Sequence, residues 1–257
     1  MIHSIYYHNP STKGFERMLK YLHARKYTFL SIEQLYKTFN SKQKTNDKYV
    51  IISFDDGWKG NLELIPIIEK YNVPITIFVA IEPLYSGNYW WEFVAKERGY
   101  EKMFEFKELP YEDFYSQLSN IKNKIGDIGR SSMTVDELKD LAKHPLVSIQ
   151  SHTINHPILT NVPDDVLDME LRESKLRLEE LTGKEVFAFS YPNGSLSQRE
   201  IIATKKYYKL AFTTEQNNIS SSNDLSLLPR YALTGNYFRD LLKMYGIWKW
   251  IKRLLKR

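Results

Sequence analysis

The chain has 257 residues, enough for one large domain, and its 42% apolar and 26% charged residues fit a folded globular protein, not a disordered or collagen-like one. Cysteine is absent, which excludes a disulfide framework, a thiolate metal site and a cysteine nucleophile. Of the net charge of +5, all sits in residues 247–257, where Lys249, Lys252, Arg253, Lys256 and Arg257 stand without an acid; the 31 basic and 31 acidic residues before them cancel, so the body offers nucleic acid no bulk charge.

Along the chain, the first ten residues lack a basic stretch followed by an apolar one, so no secretory leader is expected. No run of 18 apolar residues provides a membrane span. Both point to a cytoplasmic protein. Helical periodicity covers 15–25 and 32–39, and a strand follows at 49–54. A helix at 62–71 and a strand at 75–80 come next. Residues 83–133 then form a long aromatic-rich insertion that includes Tyr89, Trp90 and Trp91. Packing explains such aromatics more often than a sugar platform does, but they fall beside the strand ends. Beyond it, helices at 135–142, 164–181 and 198–207 alternate with strands at 147–150, 186–190 and 210–213. Thr134 and Glu137 form a capping box for the first of these helices, and Gly183 ends the second. Strands rich in β-branched and aromatic residues, alternating with helices, predict an α/β fold with a parallel sheet buried on both faces.

Two motifs carry chemistry. Ser53-Phe54-Asp55-Asp56-Gly57-Trp58 puts adjacent carboxylates at the C-terminal end of a strand, where active sites of parallel barrels lie. Alone, the stretch reads equally well as a turn with Asp as a helix cap. Ser151-His152-Thr153-Ile154-Asn155-His156-Pro157 follows another strand, and two imidazoles four residues apart can meet one metal ion. An isolated pair of this spacing is often two surface histidines. Here the aspartates supply the missing third ligand.

Together these stretches resemble the polysaccharide deacetylase family, the NodB-homology domains of carbohydrate esterase family 4. Its first motif is a TFDDG-like turn, and its second, H-[ST]-x-x-H-P, is matched in full from His152 to Pro157. The resemblance runs over roughly residues 5–233. It implies a distorted (β/α) barrel, with the insertion after the second core strand. It also implies metal-dependent hydrolysis of an N-acetyl group on an amino-sugar unit of a glycan or lipid-linked precursor. Asp55 corresponds to the general base, and Asp56, His152 and His156 to the ligands of one divalent ion, zinc foremost, with cobalt, nickel or manganese as alternatives.

The chain departs from the family at two places. Phe189-Ser190-Tyr191-Pro192-Asn193-Gly194 resembles the third motif, R-x-P-Y-G, with Pro192 and Gly194 aligned. Asn193 then takes the Tyr position, whose backbone N–H serves the oxyanion and survives the change. Ser190 falls where an Arg orients the base; Arg230, in Leu228-Pro229-Arg230-Tyr231, can supply that guanidinium or equally pair with a surface acid. No histidine follows His156, where the family's last motif carries a catalytic one. A subgroup places it on the first strand in a Tyr-His pair, and Ile5-Tyr6-Tyr7-His8 matches, which makes His8 the candidate acid for the leaving amine. A lone histidine after aromatics is otherwise structural.

Residues 1–237 are thus expected to form the barrel and 238–257 a helical tail. Phe238, Leu241, Leu242 and Tyr245 should pack on the barrel, with Gly246 as a break. From Met244 onward, Met244, Ile247, Trp248, Ile251, Leu254 and Leu255 share one helical face and the basic residues the other, the pattern of an interfacial helix. Peripheral contact with the inner membrane surface is one reading; docking on the body or a second copy is the other. Two rival functions remain: hydrolysis of a formyl or cyclic amide in the same fold, and a catalytically idle module that binds glycan or is recruited to a membrane.

Overall fold

The computed structural model describes residues 2–41 and 48–248. The first half runs β1 (Ile2–Tyr7), α1 (Thr12–Ala24), β2 (Thr28–Phe29), α2 (Ile32–Ser41), β3 (Tyr49–Asp56), α3 (Ile65–Tyr71) and β4 (Ile75–Val79). The insertion holds α4 (Glu82–Ser86), α5 (Trp90–Arg98), α6 (Lys102–Lys107) and α7 (Tyr111–Ile125). Then come α8 (Val135–Ala142), β5 (Val147–Ser151), α9 (Asp164–Thr182), β6 (Ala188–Ser190), α10 (Gln198–Lys205), β7 (Leu210–Phe212), β8 (Tyr231–Ala232) and α11 (Tyr237–Met244).

The strands pair in parallel in the order β7-β6-β5-β4-β3-β1-β8, with β2 also on β3. Strict alternation sorts their side chains. Val50, Ile52, Phe54, Ile75, Ile77, Val79 and Phe189 point outward and pack under the helices. Ile51, Phe78, Ala188, Leu210 and Phe212 point inward with Leu228. The curled sheet closes through one segment that changes partners. Residues around Leu228 bond to β7, with Leu228 N–H donating to the Ala211 carbonyl at 2.8 Å and Thr213 N–H to the Leu228 carbonyl at 2.8 Å. Three residues later β8 lies on β1. Arg230 sits at that handover. The result is the distorted (β/α) barrel expected.

Several expected boundaries shift for local reasons. The helix expected at 62–71 is a 3-10 turn (Lys59–Leu64) followed by α3, because Pro66 has no N–H to continue a helical ladder and suits the first turn of a new one. The strand expected at 186–190 begins at Ala188. The Phe187 and Ala188 amides donate instead to the buried Gln150 side chain, at 2.9 and 2.8 Å. β1, β2 and β8 were not among the strands read from apolar runs, so the insertion follows the fourth strand in chain order, not the second. The capping box at Thr134 and the left-handed Gly183 at the end of α9 are both present.

The insertion has its own small core, built from Trp90, Phe93, Val94, Met103, Phe106, Phe114, Leu118 and Ile121. It is latched to the barrel mouth. The Trp90 indole donates to the His156 carbonyl at 3.0 Å, and the Asn161 amide to the Lys107 carbonyl at 2.9 Å.

At the other end, α11 docks against α1 and β8. Leu241 packs on the core and Tyr245 meets the Tyr21 hydroxyl as expected, but the helix is rotated so that other members of the expected face turn outward. Phe238 is 69% exposed and Tyr245 faces largely outward, whereas Asp240 and Met244 are buried. A polar anchor sets this rotation: the Asp240 carboxylate accepts the amides of Thr234 and Gly235, at 2.8–3.1 Å, as the chain leaves β8. Gly246, at φ +72°, breaks the helix as expected. The apolar and basic faces read at 249–257 lie outside the described residues.

Candidate metal centre and active site

β3 delivers the two aspartates to opposite roles. Ser53 and Asp55 share the inward face, while Asp56 stands one residue further, where the chain turns out of the strand at φ +78°. Gly57 follows at φ +90°, and a Cβ there would press on the Val79 side chain at 3.2 Å. Only glycine makes that turn without strain.

Inside the barrel, Arg230 is fully buried and grips Asp55 with two bonds, Nη1–Oδ1 at 2.8 Å and Nη2–Oδ2 at 2.9 Å. Its Nη1 also donates to Ser53 Oγ at 3.1 Å, and its Nη2 to Ser190 Oγ at 2.7 Å. The guanidinium lies 4.1 Å from the centroid of the Tyr6 ring, with Phe78 and Phe212 near it. A small serine at position 190 leaves the volume that this guanidinium fills. Of the two readings of Arg230, the surface ion pair is therefore wrong. Burial alone would raise the Asp55 carboxyl, but Arg230, with His152, holds it below the usual carboxylate range.

Asp56, His152 and His156 converge beside this pair. The two Nε2 atoms stand 3.4 and 3.5 Å from Asp56 Oδ1, and the three donor atoms lie within 4.8 Å of one another. Donors about 2.0–2.1 Å from a tetrahedral ion stand roughly 3.3–3.4 Å apart, so the spacing fits one ion. The surrounding hydrogen bonds keep each ligand atom free. His152 Nδ1 donates to the Ser190 carbonyl at 2.7 Å, which puts the proton on Nδ1 and leaves the Nε2 lone pair exposed. The Trp58 indole donates to Asp56 Oδ2 at 2.8 Å, while the buried Oδ1 has no hydrogen-bond partner among the described residues. Burial, reinforced by His152, pushes His156 down to about 3, so its imidazole is neutral. Burial opposes ionisation of Asp56, yet His8 and His152 hold it well below the ordinary range. An ionised oxygen without a donor, the neutral imidazole of His156 and the Nε2 of His152, whose Nδ1 is engaged elsewhere, form the donor set of a divalent transition ion.

The second motif is held in a strained loop. Thr153 and His156 have φ of +71° and +53°, costly for non-glycine residues and above all for a β-branched one. The Thr153 hydroxyl donates to the His152 carbonyl and accepts the His156 amide at 3.0 Å. Glu170, buried on α9, accepts the amides of Ile154 and Asn155 at 2.8 and 3.1 Å and the Asn155 side chain at 2.6 Å. The sequence reading missed Glu170, and it quoted Ser53, Tyr6 and Trp58 within its motifs without giving them a role. Glu170 had a signal: it interrupts the apolar phase of Leu167, Leu171 and Leu178 on its helix.

A cavity of about 420 Å³ opens over these residues. His8, Tyr6, Asn193, Lys107, Trp58 and Trp91 are among its walls. His8 is exposed at the end of β1, with its ring 5.6 Å from that of Tyr6. Asn193 and Gly194 are both left-handed, at φ +58° and +73°, and a Cβ on Gly194 would collide with the Thr214 side chain. Six of the seven site residues expected from the sequence line this mouth, and the seventh, Arg230, lies buried beneath it against Asp55. The insertion supplies one wall: Trp91 lies edge-on to His156, at 4.7 Å between centroids.

A family model described as polysaccharide deacetylase matches residues 42–211, a span that includes Asp55, Asp56, His152, His156 and Asn193 but neither His8 nor Arg230. The polysaccharide-deacetylase-named YxkH of Bacillus subtilis is 25% identical over 224 residues, covering 86% of this chain. The alignment spans 64% of the length of YxkH. The poly-β-1,6-N-acetyl-D-glucosamine N-deacetylase of Staphylococcus epidermidis is 21% identical over 238 residues, 92% of this chain and 72% of that one. Among solved structures, the Streptococcus pyogenes deacetylase PplD superposes with a TM-score of 0.69 at 22% identity, covering 95% of this chain and 96% of that one. That likeness shows the same fold. With the family match spanning well over half the chain, this protein belongs to the polysaccharide deacetylase family.

Proposed function

We propose that the protein hydrolyses the N-acetyl group of an amino-sugar unit in a surface glycan or its lipid-linked precursor, releasing acetate and a free amine. The observation that carries this reading is the buried Asp56–His152–His156 set beside an Asp55 that Arg230 keeps ionised. Zinc is the ion that a set of two imidazoles and one carboxylate suits best, with cobalt, nickel and manganese as alternatives. A divalent ion bound there supplies polarisation of the acetamide carbonyl and acidification of a water. Asp55 takes the proton of the water as it adds to the carbonyl carbon. The Asn193 backbone N–H donates to the developing oxyanion. His8 protonates the nitrogen as the C–N bond breaks, so that an amine and not an amide anion departs. The basic, amphipathic run at 247–257 supports recruitment to an anionic membrane surface, where a lipid-linked substrate would be concentrated.

The test is acetate release from N-acetylglucosamine oligomers by the protein before and after chelation. Activity should vanish on chelation and return with zinc. His152→Ala and His156→Ala should each lose metal and activity together, because two protein ligands would remain. Full metal occupancy in both variants would refute the ligand assignment. Formate release, or ring opening without acetate, would transfer the site to another amide.

A further inference from the structure

Lys107 belongs to the insertion, not to the barrel, yet its side chain lines the same cavity as Asp55, Asp56 and His156. Its position is fixed from behind, since the Asn161 amide holds the carbonyls of Lys107 and Leu109, at 2.9 and 3.4 Å. The ammonium donates to the Asn193 side-chain oxygen at 2.7 Å. That neutral group satisfies one of three donors. Among the described residues, no carboxylate lies within ion-pair distance of Lys107.

The other charges of the cavity are already answered. Arg230 neutralises Asp55, and Asp56 faces the two imidazoles and the ion that they fit. Lys107 is therefore surplus positive charge. Burial pushes its ammonium below the usual lysine value, with Asp56 opposing. A half-desolvated cation without a carboxylate in contact is unfavourable, and an anion brought by the substrate would relieve it. The neighbouring surface faces the same way. Tyr100, on the cavity rim, is 69% exposed, and Phe104 is 57% exposed, with Lys107 Nζ 5.5 Å from its ring centroid. Exposed rings beside a cleft mark a binding surface, not a packing one.

We propose that Lys107 selects substrates in which a carboxylate or phosphate stands next to the acetylated sugar. This deepens the deacetylase reading and rests on it. Neutral sugars then react, but anionic ones bind better, through contact with the ammonium that Asn193 steadies at the cavity mouth.

Two matched pairs of sugars test this. N,N′-Diacetylchitobiose is compared with the N-acetylglucosamine–N-acetylmuramic acid disaccharide, which adds one carboxylate, and with N,N′-diacetylchitobiose 6-phosphate. For the zinc-loaded protein, kcat/KM should favour the anionic member by about tenfold, chiefly through KM, which corresponds to about 1.4 kcal/mol. Added salt should shrink the preference. In Lys107→Gln the anionic-to-neutral ratio should fall to about one, while Lys107→Arg should retain most of it. A second readout needs no turnover: quenching of the cavity tryptophans Trp58 and Trp91 by each sugar, with the full chain kept in chelator, should give the same order of affinities. Equal treatment of neutral and anionic sugars by the unmodified protein would overturn the proposal. So would an equal kcat loss on all three sugars in Lys107→Gln, which would make Lys107 a strut for Asn193. Anion-selective quenching without acetate release from any sugar would sink the deacetylase reading and leave the anion site standing.

Discussion

Arg230 and His8 lie outside the span of the family match, and each occupies a position that the site needs filled. The Arg230 guanidinium is fully buried and matched to Asp55 by two parallel bonds, so removing it strands a carboxylate inside the barrel. Arg230→Met should cost about 3–5 kcal/mol in denaturant unfolding, the range for breaking a buried pair. Arg230→Lys should lose less stability but most activity, because an ammonium cannot match the planar fork. A Met variant within 1 kcal/mol of the parent would show that the pair is not what holds the barrel interior. For His8, the expected effect of an Ala substitution is a fall in kcat of roughly a hundredfold or more on an acetamide. An acetate ester with a good leaving group needs no proton and should suffer far less. Equal losses on both would remove His8 from the role of acid.

Elements matter here mainly for the loops that they carry. α9 is a crossover helix by position, but through Glu170 it also holds the loop of His152 and His156 in its strained path. Glu170→Ala would leave two loop amides without their acceptor, which should cost about 2–4 kcal/mol in stability. The loop would also relax, so zinc affinity should fall even though no ligand is touched. Glu170→Gln keeps an acceptor oxygen and should lose about half as much. Metal titration and denaturant melts of the two variants check both parts, and an Ala variant with unchanged zinc affinity would separate the loop's geometry from Glu170. The insertion shows the same dual use: its own core folds it, while Trp90 and Trp91 bind it to the back and edge of His156.

For the whole molecule, charge is distributed unevenly between a neutral body and a basic end. Each Lys or Arg near an anionic leaflet contributes about 1 kcal/mol. Deleting 247–257 should therefore release the protein from anionic vesicles while acetate release from a small soluble sugar persists. Activity on a lipid-linked sugar should fall with the lost local concentration, and salt should weaken vesicle binding of the full chain. If the deletion unfolds the barrel or splits a dimer, the apolar face was covered by protein and the membrane role fails.

The candidate metal centre was legible before folding because its chemistry is written in contiguous residues. Asp55-Asp56-Gly57 ends one strand and His152–His156 lie on one loop, and so short a stretch limits where its own side chains can go. Strands buried on both faces were visible for a similar reason: an unbroken apolar run has no other soluble home. The two-residue strands β2 and β8 carried no such run and were missed, and β1, with its polar inward positions, was placed only through the resemblance of its Tyr-His pair. What tertiary structure alone decided were the contacts between distant segments. For Arg230 the sequence left two equal readings, a guanidinium for the base or a partner of a surface acid; only the handover of the chain from β7 to β1 brings it under Asp55 and decides between them. Lys107 and Glu170 are ordinary helix charges until an insertion and a crossover helix are laid against the barrel mouth. Local sequence specifies which groups can do chemistry, whereas burial and charge matching, which choose among them, are properties of surfaces that exist only once the sheet has closed.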